Sequence, residues 1–150
     1  MKTILHAADY AEIRQRIGGV SEANIRQWGK MNVQQMLVHC TRQLKLAVGE
    51  IPSKAQGPFL LRTRLIKWIS LSNLPWPKGA VTANEMDVVK NNFLLNGIET
   101  EKNELLNYLE KASSLEQLQP HPFFGKLSRK EWSRLIYKHL DHHLKQFSSF

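Results

Sequence analysis

The chain has 150 residues, of which 42% are hydrophobic and 9% aromatic, so we expect one soluble domain that spans residues 1–150 and has its own core. Its formal net charge is +8, but the basic residues are spread along the chain and no nucleic-acid-binding motif accompanies them, so nucleic-acid binding is not expected. The single cysteine, Cys40, excludes an intramolecular disulfide and favours the reducing cytoplasm. No apolar run approaches the roughly 18 residues of a membrane-spanning helix, so no membrane association is expected.

The first two predicted helices both end at a glycine. Periodicity predicts one helix over Asp9–Ile17, with its first residue as the N-cap. Residues 21–31 are ambiguous between a loop and a short helical turn. Asn32, followed three residues later by Gln35, has the pattern of a capping box, so a second helix is predicted from there to about Val48. The apolar face of this helix comprises Met36, Leu37, Cys40, Leu44, Ala47 and Val48, with His39 at its edge.

A third helix is predicted to open at Gly57-Pro58 and to run to about Leu71. Apolar side chains surround much of its circumference, namely Phe59, Leu60, Leu61, Leu65, Ile66, Trp68, Ile69 and Leu71. Because a helix in a bundle buries only one stripe, the surplus apolar surface requires a cover. The cover is a second copy of the chain in a two-fold symmetric homodimer, or else the loop over residues 73–80 or the N-terminal segment.

The second half of the chain is predicted to contain two further helices. Residues 73–80 contain two prolines and cannot be helical. Thr82-Ala83-Asn84-Glu85 is a capping-box pattern that opens a long helix reaching about Ala112, whose middle is weakened by the asparagines and glycine of residues 91–97. Ser128-Arg129-Lys130-Glu131 caps the final helix. No strand pattern is present, so the sequence predicts an all-α fold, a four-helix bundle with a short extra N-terminal helix.

The final helix carries two histidines in the middle of its apolar stripe. At 3.6 residues per turn, one face of it presents Trp132, Ile136, His139, Leu140, His143 and Phe147. A polar ring in such a stripe is costly unless it has a partner. His139 and His143 lie one turn apart, a spacing at which two imidazoles can converge on one metal ion. They are therefore either metal ligands or hydrogen-bonded residues of the core.

His39, on the second predicted helix, is a candidate third ligand. Three neutral imidazoles leave a fourth coordination position open, as in catalytic metal sites, and imidazole suits zinc, nickel, copper and ferrous iron alike. His142 lies at the rim of the stripe. It either supports a metal-binding histidine or contacts the substrate, or it is simply a partly exposed polar residue. His121 lies in a stiff aromatic loop that either covers the site as a lid or plugs the end of the bundle, and we favour the plug. Cys40 points about 100° away from its neighbour His39 on the helix, so it is interpreted as a core residue.

Two parts of the chain carry a family resemblance. Residues 28–39 read Trp28-Gly29-Lys30-Met31-Asn32-Val33-Gln34-Gln35-Met36-Leu37-Val38-His39 and are followed much later by His121-Pro122-Phe123-Phe124-Gly125. Near its C-terminus the chain has His139-Leu140-Asp141-His142-His143-Leu144-Lys145-Gln146, which is similar to the H-x-x-H-H-x-x-Q signature of the DinB/YfiT-like superfamily. On these motifs the chain resembles a small bacterial branch of that superfamily.

The resemblance implies a four-helix bundle of DinB/YfiT-like type, often dimeric, in which three histidines hold a divalent metal ion. Transferred to this sequence, the three are His39, His139 and His143, and zinc or nickel is the expected metal. Characterised members of the superfamily include metal-dependent transferases and isomerases that use low-molecular-weight thiols. The commoner ending of the family has Arg-Gly where this chain has Leu144-Lys145.

Two functions are consistent with these features. The first is a metal-dependent enzyme, a thiol transferase or a hydrolase, whose ion activates a water or a thiol. Its substrate would be a small molecule such as a low-molecular-weight thiol. The second is a non-catalytic binding or stress-linked interaction module, in which the histidines are structural. A site that faces a solvent-reachable cavity favours the enzyme, and a dry, closed site favours the module.

Overall fold

The computed structural model describes residues 1–147, and this part of the chain is all-α. Its six α-helices are α1 (Ala7–Gly18), α2 (Val33–Val48), α3 (Arg64–Leu71), α4 (Val88–Asn91), α5 (Ile98–Ser114) and α6 (Arg129–Lys145). Two 3₁₀ turns, Phe59–Arg62 and Asn84–Met86, lie between them. Within residues 1–147 no strand forms, and the two isolated β-bridges pair Arg26 with Phe147 and His121 with Gly125. The predicted all-α class is confirmed.

The core is built by α1, α2, α5 and α6. Its fully buried side chains include Ile13, Ile17, Met36, Leu37, Leu44, Leu105, Leu109, Trp132, Leu135, Ile136 and Leu140. α2 packs chiefly against α5, and α1 packs against both α5 and α6. The first helix is therefore not the short extra element that the sequence predicted, because it fills part of the core. α3, by contrast, buries only Leu71.

The predicted starts of α2 and α6 are confirmed by complete capping boxes. The Asn32 side chain accepts a hydrogen bond from the Gln35 amide (2.8 Å), and the Gln35 side chain accepts one from the Asn32 amide (2.8 Å). Ser128 and Glu131 make the same reciprocal pair at the start of α6. α2 ends, as expected, at Gly49, whose left-handed backbone (φ 88°) suits a residue without a side chain. These two boundaries set the register of the histidines on both helices.

The predicted N-cap of the first helix is wrong by three residues. α1 begins at Ala7 with His6 as its N-cap, and Asp9 lies inside the first turn. The Asp9 carboxylate instead accepts a hydrogen bond from the amide of Thr3, which precedes the helix (3.1 Å). An acidic side chain in the first turn still interacts favourably with the helix dipole, so the residue stabilises the same helix end from a different position.

The predicted third helix is interrupted at Thr63. The 3₁₀ turn Phe59–Arg62 precedes this residue and α3 follows it, while Thr63 itself is extended (ψ 150°). The Thr63 hydroxyl donates a hydrogen bond to the Leu60 carbonyl (2.8 Å), and the Thr63 amide donates to the same oxygen (3.1 Å). Threonine competes in this way with the backbone pattern of a continuous helix.

The predicted long helix from residue 82 to 112 is also wrong. A 3₁₀ turn and the single-turn α4 replace its first part, and α5 begins only at Ile98. Asp87 caps α4 by accepting from the Lys90 amide (2.9 Å). α4 is followed by Asn92 and α5 is preceded by Gly97, and both of these residues have positive φ (48° and 96°). They belong to the segment whose asparagines and glycine were expected to weaken the middle of the predicted helix. The break leaves the Met86 carbonyl outside any α-helix.

The apolar face around α3 is uncovered in the single chain. Phe59, Leu65 and Trp68 are 77%, 65% and 67% exposed. The loop over residues 73–80 does not cover them, because Trp76 packs on the core and its indole N–H donates to the Ser70 carbonyl (2.8 Å). The homodimer therefore stays a prediction. None of the helices within residues 1–147 has the length and apolarity needed to cross a membrane.

Candidate metal centre

α2 and α6 bring His39, His139 and His143 together. One ring nitrogen from each lies within 4.8 Å of the other two, and the ring centroids are 4.5 to 4.9 Å apart. His39 and His139 are buried, and His143 is largely buried. The three residues that the sequence nominated as metal ligands thus form one cluster.

Two of the three imidazoles are oriented by hydrogen bonds at Nδ1. His39 Nδ1 lies 2.9 Å from the Met86 carbonyl oxygen, so Nδ1–H donates and Nε2 keeps its lone pair. His143 Nδ1 lies 3.0 Å from Gln146 Oε1. Gln146 Nε2 donates to the Trp28 carbonyl (2.8 Å), which fixes Oε1 as the acceptor for His143 Nδ1–H. Such outer partners fix the tautomer and orientation of histidines that bind metals.

His139 is held differently. Its Nε2 lies 2.9 Å from His39 Nε2, and its buried Nδ1 has no hydrogen-bond partner in the described part of the chain. Because the proton of His39 is on Nδ1, the hydrogen bond between the two rings requires a proton on His139 Nε2. In the protein alone, His139 therefore donates to His39 and leaves its own Nδ1 lone pair unsatisfied.

Burial keeps all three rings neutral. It lowers the pKa of His39, and it holds the pKa values of His139 and His143 well below their usual range, an effect to which the neighbouring histidines add. A neutral imidazole has one nitrogen with a free lone pair, so at neutral pH the three rings need not lose a proton to solvent before an ion binds. His139 has to move its proton from Nε2 to Nδ1 before its Nε2 can coordinate.

The donor set fits a divalent ion. Two nitrogens of a tetrahedral zinc site, each about 2.0–2.1 Å from the ion, lie roughly 3.3–3.4 Å apart. His39 Nε2 and His139 Nε2 are 2.9 Å apart, so a displacement of a few tenths of an ångström, together with transfer of the His139 proton to Nδ1, would accommodate an ion between them. Three imidazoles would leave one coordination position for water or substrate.

The cluster faces a cavity of about 850 Å³. Aromatic and apolar side chains form much of its wall, among them Trp28, Trp76, Met86, Val88, Phe123 and Phe124. Val81 at its edge is 84% exposed, so the cavity opens to solvent. A mostly apolar concave site with a few convergent polar groups is typical of small-molecule binding.

His142 and Cys40 lie outside the cluster. His142 is half-buried in the cavity wall between the rings of Trp28 and Trp76, with centroid distances of 5.8 and 6.0 Å. Cys40 is buried, and its Sγ lies 3.9 Å from Met36 Sδ. Burial raises the pKa of the Cys40 thiol, so this residue is an inert part of the core, as expected.

The loop of His121 is tightly folded. His121 and Gly125 exchange both backbone hydrogen bonds (2.8 Å each), and the His121 ring stacks on Phe124 with 4.8 Å between centroids. His121 is buried against Trp132, and Phe124 packs on the core, which agrees with the expected plug. His121, Phe123 and Phe124 also line the cavity, so the loop is one of its walls.

Three supports of the cluster were not predicted. The Met86 carbonyl orients His39, Gln146 orients His143, and Gly29 lies against the amide of Gln146. Gly29 has φ +81°, and a Cβ atom there would overlap Gln146 Nε2. The i, i+3 spacing of His143 and Gln146 is a signal in the sequence, whereas the contacts of Met86 and Gly29 depend on the fold.

Comparison with known proteins yields one match. The family model described as "Protein of unknown function (DUF1569)" matches residues 1–149. No curated protein matches the chain, and no solved structure matches it. These comparisons do not link the chain to the DinB/YfiT-like superfamily, so that resemblance stays a prediction. Because the family match extends over nearly the whole sequence, the chain belongs to the DUF1569 family.

Proposed function

We propose that the protein is a metal-dependent enzyme, a transferase or a hydrolase, whose zinc or nickel ion is held by His39, His139 and His143. The observation that carries the proposal is the convergence of three neutral imidazoles beside a cavity that opens to solvent. The fold is then of DinB/YfiT-like type, with α1, α2, α5 and α6 as its four-helix bundle. The core that these four helices share supports this arrangement.

The residues of the chain have distinct tasks in this proposal. Met86 and Gln146 hold the Nε2 lone pairs of His39 and His143 in position. A bound divalent ion supplies Lewis acidity, which polarises a substrate oxygen and lowers the pKa of water or of a thiol. The aromatic wall limits the access of water. Burial lowers the pKa of His142, so its imidazole is neutral near pH 7 and able to accept a proton within the cavity.

The proposed substrate is a small molecule, with a low-molecular-weight thiol as the first class to examine. The size and apolar lining of the cavity support a small organic substrate. The thiol is supported by the resemblance of the chain's motifs to those of a superfamily that includes thiol-dependent transferases. The expected cytoplasmic location, where such thiols are reduced, is supported by the single buried cysteine.

One observation favours the alternative, a non-catalytic binding module with structural histidines. The hydrogen bond between His39 Nε2 and His139 Nε2 gives these two rings partners without any ion. Structural histidines of this kind would tolerate the absence of metal. His139 Nδ1, which is buried without a partner within residues 1–147, does not separate the two hypotheses, because an ion on Nε2 would leave it unpartnered as well.

Metal analysis of protein purified without a histidine tag tests the proposal. We expect about one divalent ion per chain in the wild type and loss of the ion in His143→Ala. His6→Ala is the matched control, because His6 is exposed and lies outside the cluster. Equal and substoichiometric metal in all three proteins would show that the histidines are structural. The metal-loaded protein is then screened with small thiols and electrophilic acceptors, with His143→Ala as the inactive control.

A further inference from the structure

Gln43 is a buried amide in the wall of the cavity that contains the histidines. It lies on α2 one turn after His39, and only 2% of it is exposed. Its Oε1 is buried and accepts no hydrogen bond from the described residues. A buried amide oxygen without a donor destabilises the folded chain, because the hydrogen bonds that water gave it in the unfolded state are lost.

The position of Gln43 on the helix would otherwise suit an apolar residue. Leu44 and Ala47 beside it on α2 are fully buried, and the same helix packs chiefly against α5. A leucine or methionine at residue 43 would fill the same space without an unpaired oxygen. The amide therefore becomes favourable only if a molecule in the cavity supplies a hydrogen-bond donor.

His121 supplies the opposite type of group to the same cavity. Its Nδ1 accepts hydrogen bonds from the amides of Phe123 (3.2 Å) and Phe124 (3.3 Å). The proton of the neutral ring is therefore on Nε2, which has no hydrogen-bond partner among residues 1–147. The cavity thus has an acceptor at Gln43 and a donor at His121, set among apolar residues such as Leu61 and Val88.

We propose that Gln43 is a substrate-binding residue and that the cavity takes a largely apolar small molecule that carries a hydroxyl or amine group. On binding, the Gln43 amide turns about its last side-chain bond, so that Oε1, which solvent does not reach in the free protein, faces the cavity and accepts from the O–H or N–H of this molecule. The Nε2–H of His121 donates to an acceptor atom of the same molecule. The inference rests on the proposed function only in using this cavity as the substrate site. It adds the chemical class of the substrate.

Two neutral aromatic probes that differ in one donor test the inference. 2-Naphthol has a hydroxyl group, and 2-methoxynaphthalene replaces its proton with a methyl group. We expect the wild type to bind 2-naphthol about tenfold more tightly by calorimetry, because only this probe satisfies Gln43 Oε1. In Gln43→Leu the preference should disappear. The same variant should unfold at a higher temperature, because the unpaired oxygen is removed from the interior.

Further variants make the test decisive. Gln43→Met replaces Gln43→Leu if the branched side chain does not fit, and the same loss of preference is expected. Gln15→Leu is the matched control, because Gln15 is an exposed amide on α1, and it should keep the wild-type preference. A preference that survives in Gln43→Leu or Gln43→Met, or a wild type that binds neither probe, would overturn the inference.

Metal content, measured in the same samples, separates this inference from the proposed function. Gln43 is not one of the clustered histidines, so Gln43→Leu should retain as much metal as the wild type. If the wild type is found to contain no metal and still prefers 2-naphthol, the metalloenzyme is refuted and the binding role of Gln43 stays intact. Normal metal content without any probe preference would refute only the role of Gln43.

Discussion

The position of His143 depends on hydrogen bonds that lead back to the loop before α2. Gln146 accepts from His143 Nδ1 through one end of its amide and donates to the Trp28 carbonyl through the other. The Gln27 amide also donates to the Gln146 carbonyl (2.7 Å). Gly29 allows the loop to approach this side chain closely. The Trp-Gly part of the first motif therefore acts on the histidine cluster without contributing a ligand.

Gly29→Ala should weaken metal binding by about 10- to 100-fold, the range found when the outer partner of a metal-binding histidine is lost. The new methyl group would displace the Gln146 amide and release His143. Gly79→Ala is the control, because Gly79 has the same φ of +81° but no atom near its missing Cβ. Both variants should lose about 1–2 kcal/mol of stability from backbone strain. Competition of a chromophoric chelator for zinc measures the affinity, and equal affinities of the two variants would contradict the role of Gly29.

His121 should make the folded state sensitive to mild acid. Burial lowers the pKa of His121 from 6.5 to about 3. The unfolded chain therefore gains a proton below pH 6.5 that the folded chain does not bind until about pH 3. The stability that this residue contributes is complete above pH 6.5 and is lost as the pH falls towards 3. By pH 5 the loss should be about 2 kcal/mol.

Urea unfolding of chelator-treated protein at pH 7 and pH 5 measures this loss. His121→Asn keeps an oxygen that can accept from the amides of Phe123 and Phe124 but has no proton to gain. The other buried histidines contribute equally to both proteins, so the difference between wild type and variant isolates His121. If the two proteins lose the same free energy between pH 7 and pH 5, His121 is protonated in the folded state and the prediction is wrong.

At the scale of helices, local signals predicted those boundaries whose hydrogen bonds are local. The capping boxes of α2 and α6 involve residues three positions apart, and both form. The pattern Thr82-Ala83-Asn84-Glu85 does not cap a helix, because distant residues bind its groups. Gln56 accepts from the Asn84 amide and donates to the Glu85 carboxylate, and Arg42 donates to the Glu85 carbonyl. No periodicity in the sequence indicates these partners.

Ser128→Ala should destabilise the protein by about 1 kcal/mol, because it removes the N-cap of α6. Thr82→Ala is the informative comparison, since its sequence pattern is the same but its hydroxyl caps no helix. We expect a change of no more than about 0.5 kcal/mol for Thr82→Ala. Urea denaturation of both variants measures the difference. Equal destabilisation would mean that the capping box at residue 82 does form.

The histidine cluster was predictable to the extent that it depends on helix geometry. The i, i+4 spacing alone places His139 and His143 on one buried face. His39 was a candidate from its position at the edge of the apolar face of α2, but its contact with His139, 100 residues away in sequence, follows only from the fold. The roles of Gln43 and Met86 could not be predicted from the sequence, since an unpaired amide oxygen and a carbonyl outside any α-helix are defined by their surroundings. They become recognisable only when the break before α5 and the packing of α2 are known.

For the molecule as a whole, the uncovered apolar face predicts self-association. Phe59, Leu65 and Trp68 form an exposed apolar surface on a chain with a net charge of +8. We expect the wild type to sediment as a dimer at micromolar concentration and Trp68→Glu to sediment as a monomer, because a charge in the interface opposes association. Leu94→Glu, at an exposed position in the segment before α5, should remain dimeric.

Two results would change this view. A wild-type monomer at micromolar concentration would end the dimer hypothesis. A dimer that survives both Trp68→Glu and Leu65→Glu would mean that the interface lies on another part of the chain.

An ion shared by His39 and His139 would cross-link positions 100 residues apart. The unfolded chain would have to close a long loop to hold it, at an entropic cost that the folded chain has already met. Such an ion would therefore bind the folded state selectively and would raise its unfolding free energy by about 4 kcal/mol when free metal is 1,000 times Kd. Metal supply would then set how much of the protein survives proteolysis, so that metal starvation would lower its abundance.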